Sequence, residues 1–279
     1  MKVTEENAKR GTRNSTLIVA RDNSLLRLAR AVRDGKDQSL IFVEGLRLCE
    51  EALRSGLEIH AVVYSNEIAQ KPRAAALLAQ LGEQCERLGE VSESLLATVS
   101  YTKTPQGIIV LARRPVSGKE MLATKGHPHL LVLMDGINNP VNVGAILRSA
   151  EAAGATGVIT TGDSTDPFSP KALRGAMGSA FRLPIWTGAS YQEALDWCAL
   201  HQLKTVSTDI KAEKLHTEID WRVPCALILG SESTGLVAAQ VEMAAEQIRI
   251  PMHGEVESLN VGMAAAVILY EAARQRMSN

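Results

Sequence analysis

The sequence has few aromatic residues: Phe, Trp and Tyr make up 4% of its 279 residues. The core must therefore be built mainly from Ala, Leu, Val and Ile, which suits an α/β protein. No apolar run approaches the ~20 residues that a membrane-spanning helix needs. The first residues, MKVTEENAKRGTRN, also lack the apolar core of a secretory signal. We therefore expect a cytoplasmic protein with no membrane partner.

Cysteine is scarce as well, and the chain has no C-x-x-C pair. Each of the four cysteines lies in or beside an apolar segment: Cys49, Cys85, Cys198 and Cys225. We predict reduced core cysteines rather than a disulfide framework or a metal site. His127 and His129 form an H-x-H pair without further ligands nearby in sequence, so we interpret them as a chance surface pair. The sequence therefore predicts no metal.

The chain also lacks a strong net charge, with a formal value of −1. A nucleic-acid surface would therefore have to be local. One local asymmetry exists, because residues 1–36 hold nine basic and four acidic residues. The helix predicted over Ser24–Val32 has basic residues on its polar face.

The pattern of apolar segments predicts the domain organisation. We expect a basic arm and helix over 1–37, an α/β domain over 38–113, a linker over 114–127 and a second α/β domain over 128–279. In both domains strands alternate with helices, which favours mostly parallel sheets. In the second domain we predict helices over Ala145–Ala153, capped by Asn142, and over Asn260–Arg276.

Three stretches of the second domain place polar residues beside buried strands, at residues 138–155, 227–236 and 248–272. Each stretch alone is typical of an ordinary capped turn. In an open α/β sheet, however, ligands bind outside the carboxyl ends of the strands. The G-x-G-x-x-G pattern of a dinucleotide-binding oxidoreductase is absent, which disfavours that class.

Taken together and in order, NPVNVGAILRSA, GSESTGL and IPMHGEVESLNV resemble the three motifs of the SpoU (TrmH-type) branch of the SPOUT RNA methyltransferases. FVEGLRLCEEAL and TPQGIIVLAR resemble the L30e-like substrate-binding domain that is common in that family. The resemblance covers about residues 24–276. Ser233 departs from the Gly or Ala that is frequent at its position.

The resemblance implies a fold with a C-terminal, trefoil-knotted, mostly parallel sheet and a smaller N-terminal L30e-like α/β domain. It implies a homodimer through the C-terminal domain and S-adenosyl-L-methionine as methyl donor. The implied reaction is methylation of a ribose 2′-hydroxyl, with ribosomal RNA as the preferred substrate. Transfer RNA as substrate, or an RNA-binding protein that has lost catalysis, are the alternatives.

The resemblance also implies site residues. The family's catalytic positions correspond to Asn142, Arg148, Glu232, Ser258 and Asn260. Its donor-binding positions correspond to Leu229, Gly230, Ile250 and Leu259, with Thr208 and Met252 nearby. For Arg148 two roles remain open, general base or electrostatic stabiliser. A guanidinium stays protonated in proteins, which favours the second.

Basic residues outside the motifs are candidates for phosphate contacts. We predict an RNA-binding role for Arg27, Arg30, Lys103, Lys171 and Arg174.

Overall fold

The computed structural model describes residues 15–85, 87–122, 129–232 and 234–277. Some positions named above lie outside the described residues: 1–14 of the predicted arm, 123–127 of the predicted linker, which include His127, and Ser233. The chain divides into two compact units. The first takes in the chain up to Pro115 together with Phe168–Pro170, and the second takes in the remainder.

The first unit is a mixed sheet with helices. Its strands are β1 (Ser15–Leu17), β2 (Leu40–Glu44), β3 (Ile59–Ser65), β4 (Leu88–Val91) and β5 (Ile108–Arg113). Its helices are α1 (Ser24–Arg33), α2 (Leu46–Arg54), α3 (Asn66–Ala69), α4 (Pro72–Gln84) and α5 (Glu93–Ala97). The strand order is β1-β4-β3-β5-β2.

The prediction of a mostly parallel sheet is wrong for this unit. Strand β5 runs antiparallel to both β2 and β3, whereas β4 is parallel to β1 and β3. Strand β5 follows β4 in the chain but enters the sheet between β3 and β2.

Helix α1 belongs to the core of this unit. Asn23 caps it by accepting a hydrogen bond from the backbone N–H of Leu25. Leu26 and Ala29 are buried in the same cluster as Phe42 of β2. The predicted helix is confirmed, and strand β1 before it pairs with β4.

The second unit is built on a larger sheet. Its strands are β6 (Leu130–Met134), β7 (Gly157–Thr161), β8 (Ile185–Ala189), β9 (Lys204–Thr208), β10 (Lys214–Leu215), β11 (Cys225–Leu229) and β12 (Glu246–Arg249). Its helices are α6 (Lys119–Leu122), α7 (Pro140–Ala152), α8 (Pro170–Ala176), α9 (Ser179–Arg182), α10 (Tyr191–Leu200), α11 (Ala238–Glu242) and α12 (Val261–Met277). Leu122, from the segment predicted as a linker, packs into this core.

This sheet is parallel throughout its described pairings, in the order β10-β12-β9-β11-β6-β7-β8. Strands β6, β7 and β11 are buried along their full length, as strands covered on both faces must be. The predicted fold class is confirmed. Strand β12 is inserted between β9 and β10, which precede it in the chain, and α12 packs on α7.

Three local expectations have clear outcomes. Helix α7 begins at Pro140, not Ala145, and its cap is Asn139 rather than Asn142. All four cysteines are buried and outside any disulfide, and burial raises the pKa of Cys198 to about 12. His129 is not on the surface: it is buried, and its Nδ1 lies 3.3 Å from Thr156 Oγ1.

Within the described ranges, no helix is long and apolar enough to cross a membrane.

Candidate active site

The candidate donor-binding positions meet at one edge of the second sheet. Strands β9, β11 and β12 are neighbours and parallel, so their carboxyl ends lie together. Thr208 ends β9 in register with Ile248, and its Oγ1 donates to the carbonyl of Ile228, 3.3 Å away. Leu229 ends β11 and is buried. This is the edge where open parallel sheets bind ligands.

Gly230 turns the chain at this edge. A Cβ at this position would clash with the backbone of Gly235 and Leu236, so only glycine fits. The turn is closed by a hydrogen bond of 2.9 Å from the N–H of Gly235 to the carbonyl of Ser231. Gly235 itself has φ +65°. Glu232 lies in this turn and is exposed.

Asn142 and Asn260 are brought together although 118 positions separate them. Asn260 Nδ2 donates to Asn142 Oδ1 over 3.2 Å. Asn260 Oδ1 meanwhile caps α12 by accepting from the N–H of Gly262 at 3.0 Å. Asn142 is 5% exposed, and its Nδ2 has no hydrogen-bond partner among the residues that the structure describes. A buried amide with an unused donor is costly unless a ligand completes it.

Close helix packing fixes α7 in this position. A Cβ on Gly144 would lie 2.5 Å from the carbonyl oxygen of Ala172 and 2.8 Å from Gly175 Cα. On the side of α12, a Cβ on Gly262 would lie 3.3 Å from Ala145 Cβ. Helix α7 is therefore held between α8 and α12 by glycine contacts.

A polar network that the sequence analysis missed supports the turn at Gly230. Gln240 Nε2 donates to Asp135 Oδ2 at 2.9 Å, and Gln240 Oε1 accepts from the N–H of Val237. The hydroxyl of Tyr191 donates to the Gln240 carbonyl. Burial, followed by the nearby Asp135 carboxylate, raises the pKa of Tyr191 to about 12. Residues so far apart in sequence gave no pattern from which to predict this network.

The remaining predicted catalytic side chains are exposed. Arg148 is on α7, one turn after Ala145, while Glu232 and Ser258 are in loops. Within the described part of the chain, none of the three forms a side-chain hydrogen bond to another candidate residue. The structure thus pairs the two asparagines and leaves the charged groups open to solvent.

The residues present fit an adenosyl ligand at this edge. Ile250, Met252 and Leu259 are half-buried in the segment that connects β12 to α12. Apolar side chains beside backbone N–H and carbonyl groups are what a flat heterocycle requires. Within the described residues, no group of three or more His, Cys, Asp or Glu side chains has metal-site geometry.

The predicted RNA-contact residues differ in how accessible they are. Arg27, Lys103, Lys171 and Arg174 are exposed. Arg30 is instead hydrogen-bonded to the carbonyl of Arg21 and to Thr98 Oγ1.

Comparison with known proteins identifies the family. Residues 129–270 match the SpoU rRNA methylase family, and residues 5–110 match the MRM3-like substrate-binding domain. The chain belongs to the SpoU rRNA methylase family. The match covers the candidate site completely, so the predicted family is confirmed.

Individual SpoU relatives align along most of the chain. A 23S rRNA (uridine(2479)-2′-O)-methyltransferase of Streptomyces viridochromogenes is 30% identical over 85% of this chain and 83% of its own length. The 23S rRNA (guanosine(2553)-2′-O)-methyltransferase RlmP of Bacillus subtilis is 32% identical over 82% of this chain and 86% of its own length. Among solved structures, the AdoMet-bound SpoU methyltransferase AviRb of Streptomyces viridochromogenes has a TM-score of 0.82 at 28% identity, covering 92% and 99% of the two chains.

Proposed function

We propose that this protein transfers a methyl group from S-adenosylmethionine to a ribose 2′-hydroxyl of ribosomal RNA. The observation that carries the proposal is the Asn142–Asn260 pair, which leaves one buried amide donor unused at the carboxyl edge of the sheet. The setting supports it, because the chain belongs to the SpoU family and its relatives with AdoMet bound share the fold.

The donor contributes a methyl carbon on a positively charged sulfur, and the chain holds it at the sheet edge. We assign its binding to Thr208, Leu229, Gly230, Ile250, Met252 and Leu259. Gly230 lets the backbone approach closely, and the apolar residues enclose the adenine ring. Asn142 and Asn260 fix the ribose so that the 2′-oxygen, methyl carbon and sulfur are in line.

The 2′-hydroxyl loses its proton to solvent as the oxygen–methyl bond forms, and the sulfur–methyl bond breaks with its electron pair left on sulfur, which gives S-adenosylhomocysteine. We assign Arg148 to the negative charge that develops on the oxygen, and to the adjacent phosphate. Its exposed guanidinium is a permanent cation, which suits a stabiliser better than a base. Glu232 and Ser258, both in exposed loops, complete the proposed catalytic group.

Ribosomal RNA is favoured over transfer RNA as substrate. Several relatives that align along most of the chain are named 23S rRNA 2′-O-methyltransferases, and one is named an uncharacterized tRNA/rRNA methyltransferase. A separate substrate-binding domain precedes the catalytic domain in this chain. Arg27, Arg30, Lys103, Lys171 and Arg174 remain the proposed phosphate contacts, although Arg30 must exchange existing hydrogen bonds to make one.

We further propose that the protein is a homodimer through its second unit. Helix α12 carries the exposed apolar residues Met263, Val267 and Tyr270. They follow one another at intervals of four and three residues, so they form one stripe. A stripe of this kind is stabilised when a second copy covers it.

A methyl-transfer assay tests the proposed reaction. The protein is incubated with radiolabelled S-adenosylmethionine and, separately, with ribosomal RNA, transfer RNA and ribosomal subunits, and labelled nucleotides are mapped. We expect label in a 2′-O-methylated dinucleotide from ribosomal RNA, free or assembled. Label only in transfer RNA would contradict ribosomal RNA as the substrate. Binding of S-adenosylmethionine without any methyl transfer would contradict the proposed reaction.

A further inference from the structure

Glu44, at the end of β2, is a buried carboxylate that accepts several hydrogen bonds from one loop. It is 4% exposed. Its oxygens accept from the N–H of Tyr101 at 3.0 Å, the N–H of Thr102 at 3.2 Å and Thr102 Oγ1 at 2.8 Å. The hydroxyl of Ser100 is a fourth donor. A buried charge is tolerated only when it is hydrogen-bonded, so carboxylate and loop hold each other in place.

The same loop, residues 100–106, has further hydrogen bonds, and we refer to it as the Glu44 loop. The guanidinium of Arg33 donates to the carbonyl of residue 100 and to the carbonyls of residues 98 and 99 just before the loop, with distances from 3.1 to 3.4 Å. Within the loop, the carbonyl of Thr104 accepts from Gln106 Nε2 at 3.1 Å. Several hydrogen bonds therefore hold the backbone of this surface loop.

The side chains that the Glu44 loop presents outward are an aromatic ring and a cation. Tyr101 is 43% exposed, and Lys103 is exposed. Rings held on a rigid surface stack on unpaired bases, and a neighbouring Lys meets the phosphate. A rigid presentation also lowers the entropy that binding would cost.

The surroundings of the loop favour an anionic partner. Gln106 lies against Gly45, at 3.5 Å from the position of a Cβ there. Gly45 precedes helix α2, whose N-terminus has no side-chain cap and no acidic residue in its first turn, but does contain Arg47. The partial positive charge of a helix N-terminus adds to Lys103 and Arg47. This combination fits RNA better than an apolar protein partner.

We propose that the Glu44 loop is an RNA-contact surface for unpaired nucleotides. Tyr101 stacks on a base, Lys103 contacts a phosphate, and Glu44 is a positioning residue that acts through the loop. The loop lies within the part of the chain that matches a substrate-binding domain. This inference rests on the proposed function, since it names the RNA element that the enzyme recognises.

Binding of labelled RNA to the full chain tests the surface. The probes are a mixed-sequence single strand of about 12 nucleotides, a length typical of such sites, and a fully paired hairpin. We expect Tyr101→Ala to weaken single-strand binding about tenfold, within the range for one stacked base, and Tyr101→Phe to restore it. Lys103→Ala should reduce the salt dependence by about one phosphate contact. Lys71→Ala, an exposed lysine on another segment, is the matched control.

Glu44→Ala tests the positioning role, because it removes the carboxylate oxygen that accepts from both backbone N–H groups. We expect the same loss of single-strand binding as in Tyr101→Ala, and no further loss when the two are combined. Losses that multiply would show that Glu44 acts elsewhere. Thr102→Val removes one donor to the carboxylate and provides the milder variant if Glu44→Ala does not fold.

The outcomes separate this inference from the proposed reaction. If Tyr101→Ala binds the single strand as tightly as wild type, or weakens only hairpin binding, the Glu44 loop is not the surface we infer. If the loop variants lose RNA binding while wild type transfers no methyl group, only the proposed reaction fails. We expect the affinity for S-adenosylmethionine to be unchanged in every loop variant.

Discussion

At the scale of single residues, the candidate site combines one buried amide with exposed charges. Asn142 is enclosed and held by the exposed Asn260, whereas Arg148 extends from α7 into solvent. The Asn142 amide is therefore positioned before substrate arrives. In the proposed reaction, an RNA anion orients Arg148. This division favours positioning by the asparagines and charge stabilisation by the arginine.

Replacing Arg148 tests its role directly. We expect Arg148→Ala to lower kcat by about 100- to 1000-fold, the effect of removing one transition-state donor. S-adenosylmethionine affinity should stay within about twofold in a calorimetric titration, because the guanidinium is exposed and Arg148 is not among the proposed donor-binding residues. Arg222→Ala, which removes another exposed arginine of the second unit, is the control. Near-normal turnover in Arg148→Ala would exclude both the base and the electrostatic role.

At the scale of elements, the position of α7 depends on Gly144. We expect Gly144→Ala to destabilise the second unit by about 1–3 kcal/mol or more, since the new methyl group meets backbone atoms that have no rotamer to change. Urea unfolding followed by tryptophan fluorescence measures this, because all three tryptophans are in the second unit. Gly162→Ala, with no atom within 4 Å of the new Cβ, should leave the midpoint unchanged.

The Asp135–Gln240 hydrogen bond joins β6 to the segment that follows the Gly230 turn. Gln240→Glu places two carboxylates together, so we expect the affinity for S-adenosylmethionine to fall and to recover partly at acidic pH as one of them is protonated. The double variant Asp135→Asn with Gln240→Glu exchanges the hydrogen-bond donor and acceptor of the pair. It should restore the affinity for S-adenosylmethionine at neutral pH. If the double variant binds no better than Gln240→Glu, the hydrogen bond does not position the turn.

Which elements could be predicted depended on how local their causes are. The prediction of helix α12 rests on neighbouring residues, and it was confirmed. The start of α7 was placed five residues late, although Asn139-Pro140 is the cap and first-turn pattern that signals a helix start. The antiparallel direction of β5 and the insertion of β12 arise from contacts between distant segments. No pattern of neighbouring residues predicts either the direction of β5 or the position of β12.

At the scale of the whole molecule, α12 links the site to the far end of its sheet. Its first turn receives the Asn260 cap, and near its last turn Gln275 bonds to Ile219 and Trp221. Gln275 also donates to Glu271, which accepts from Arg274 as well. The site is therefore coupled to the stability of this helix.

Acid should weaken that anchor. The hydrogen bond from Arg274, followed by that from Gln275, lowers the pKa of Glu271 from 4.5 to about 2. A carboxyl with a lowered folded-state pKa stabilises the protein above pH 4.5 and loses this contribution as the pH falls toward 2. We expect Glu271→Gln to lower the urea midpoint at pH 7 and to differ less from wild type at pH 3. Glu242→Gln, an exposed position on α11, is the comparison, and an equal effect at both pH values would contradict the assignment.

The apolar stripe of α12 determines whether two copies associate. In the proposed dimer Val267 lies in the middle of the contact, so an aspartate there would be buried without a partner charge, which strongly disfavours association. Sedimentation equilibrium should give twice 30.0 kDa for wild type and 30.0 kDa for Val267→Asp. Leu200→Asp, at an exposed apolar residue on α10, should remain dimeric. A monomeric wild type would contradict the proposed dimer. A dimeric Val267→Asp would place the interface elsewhere. In either case the stripe would be available to a different partner.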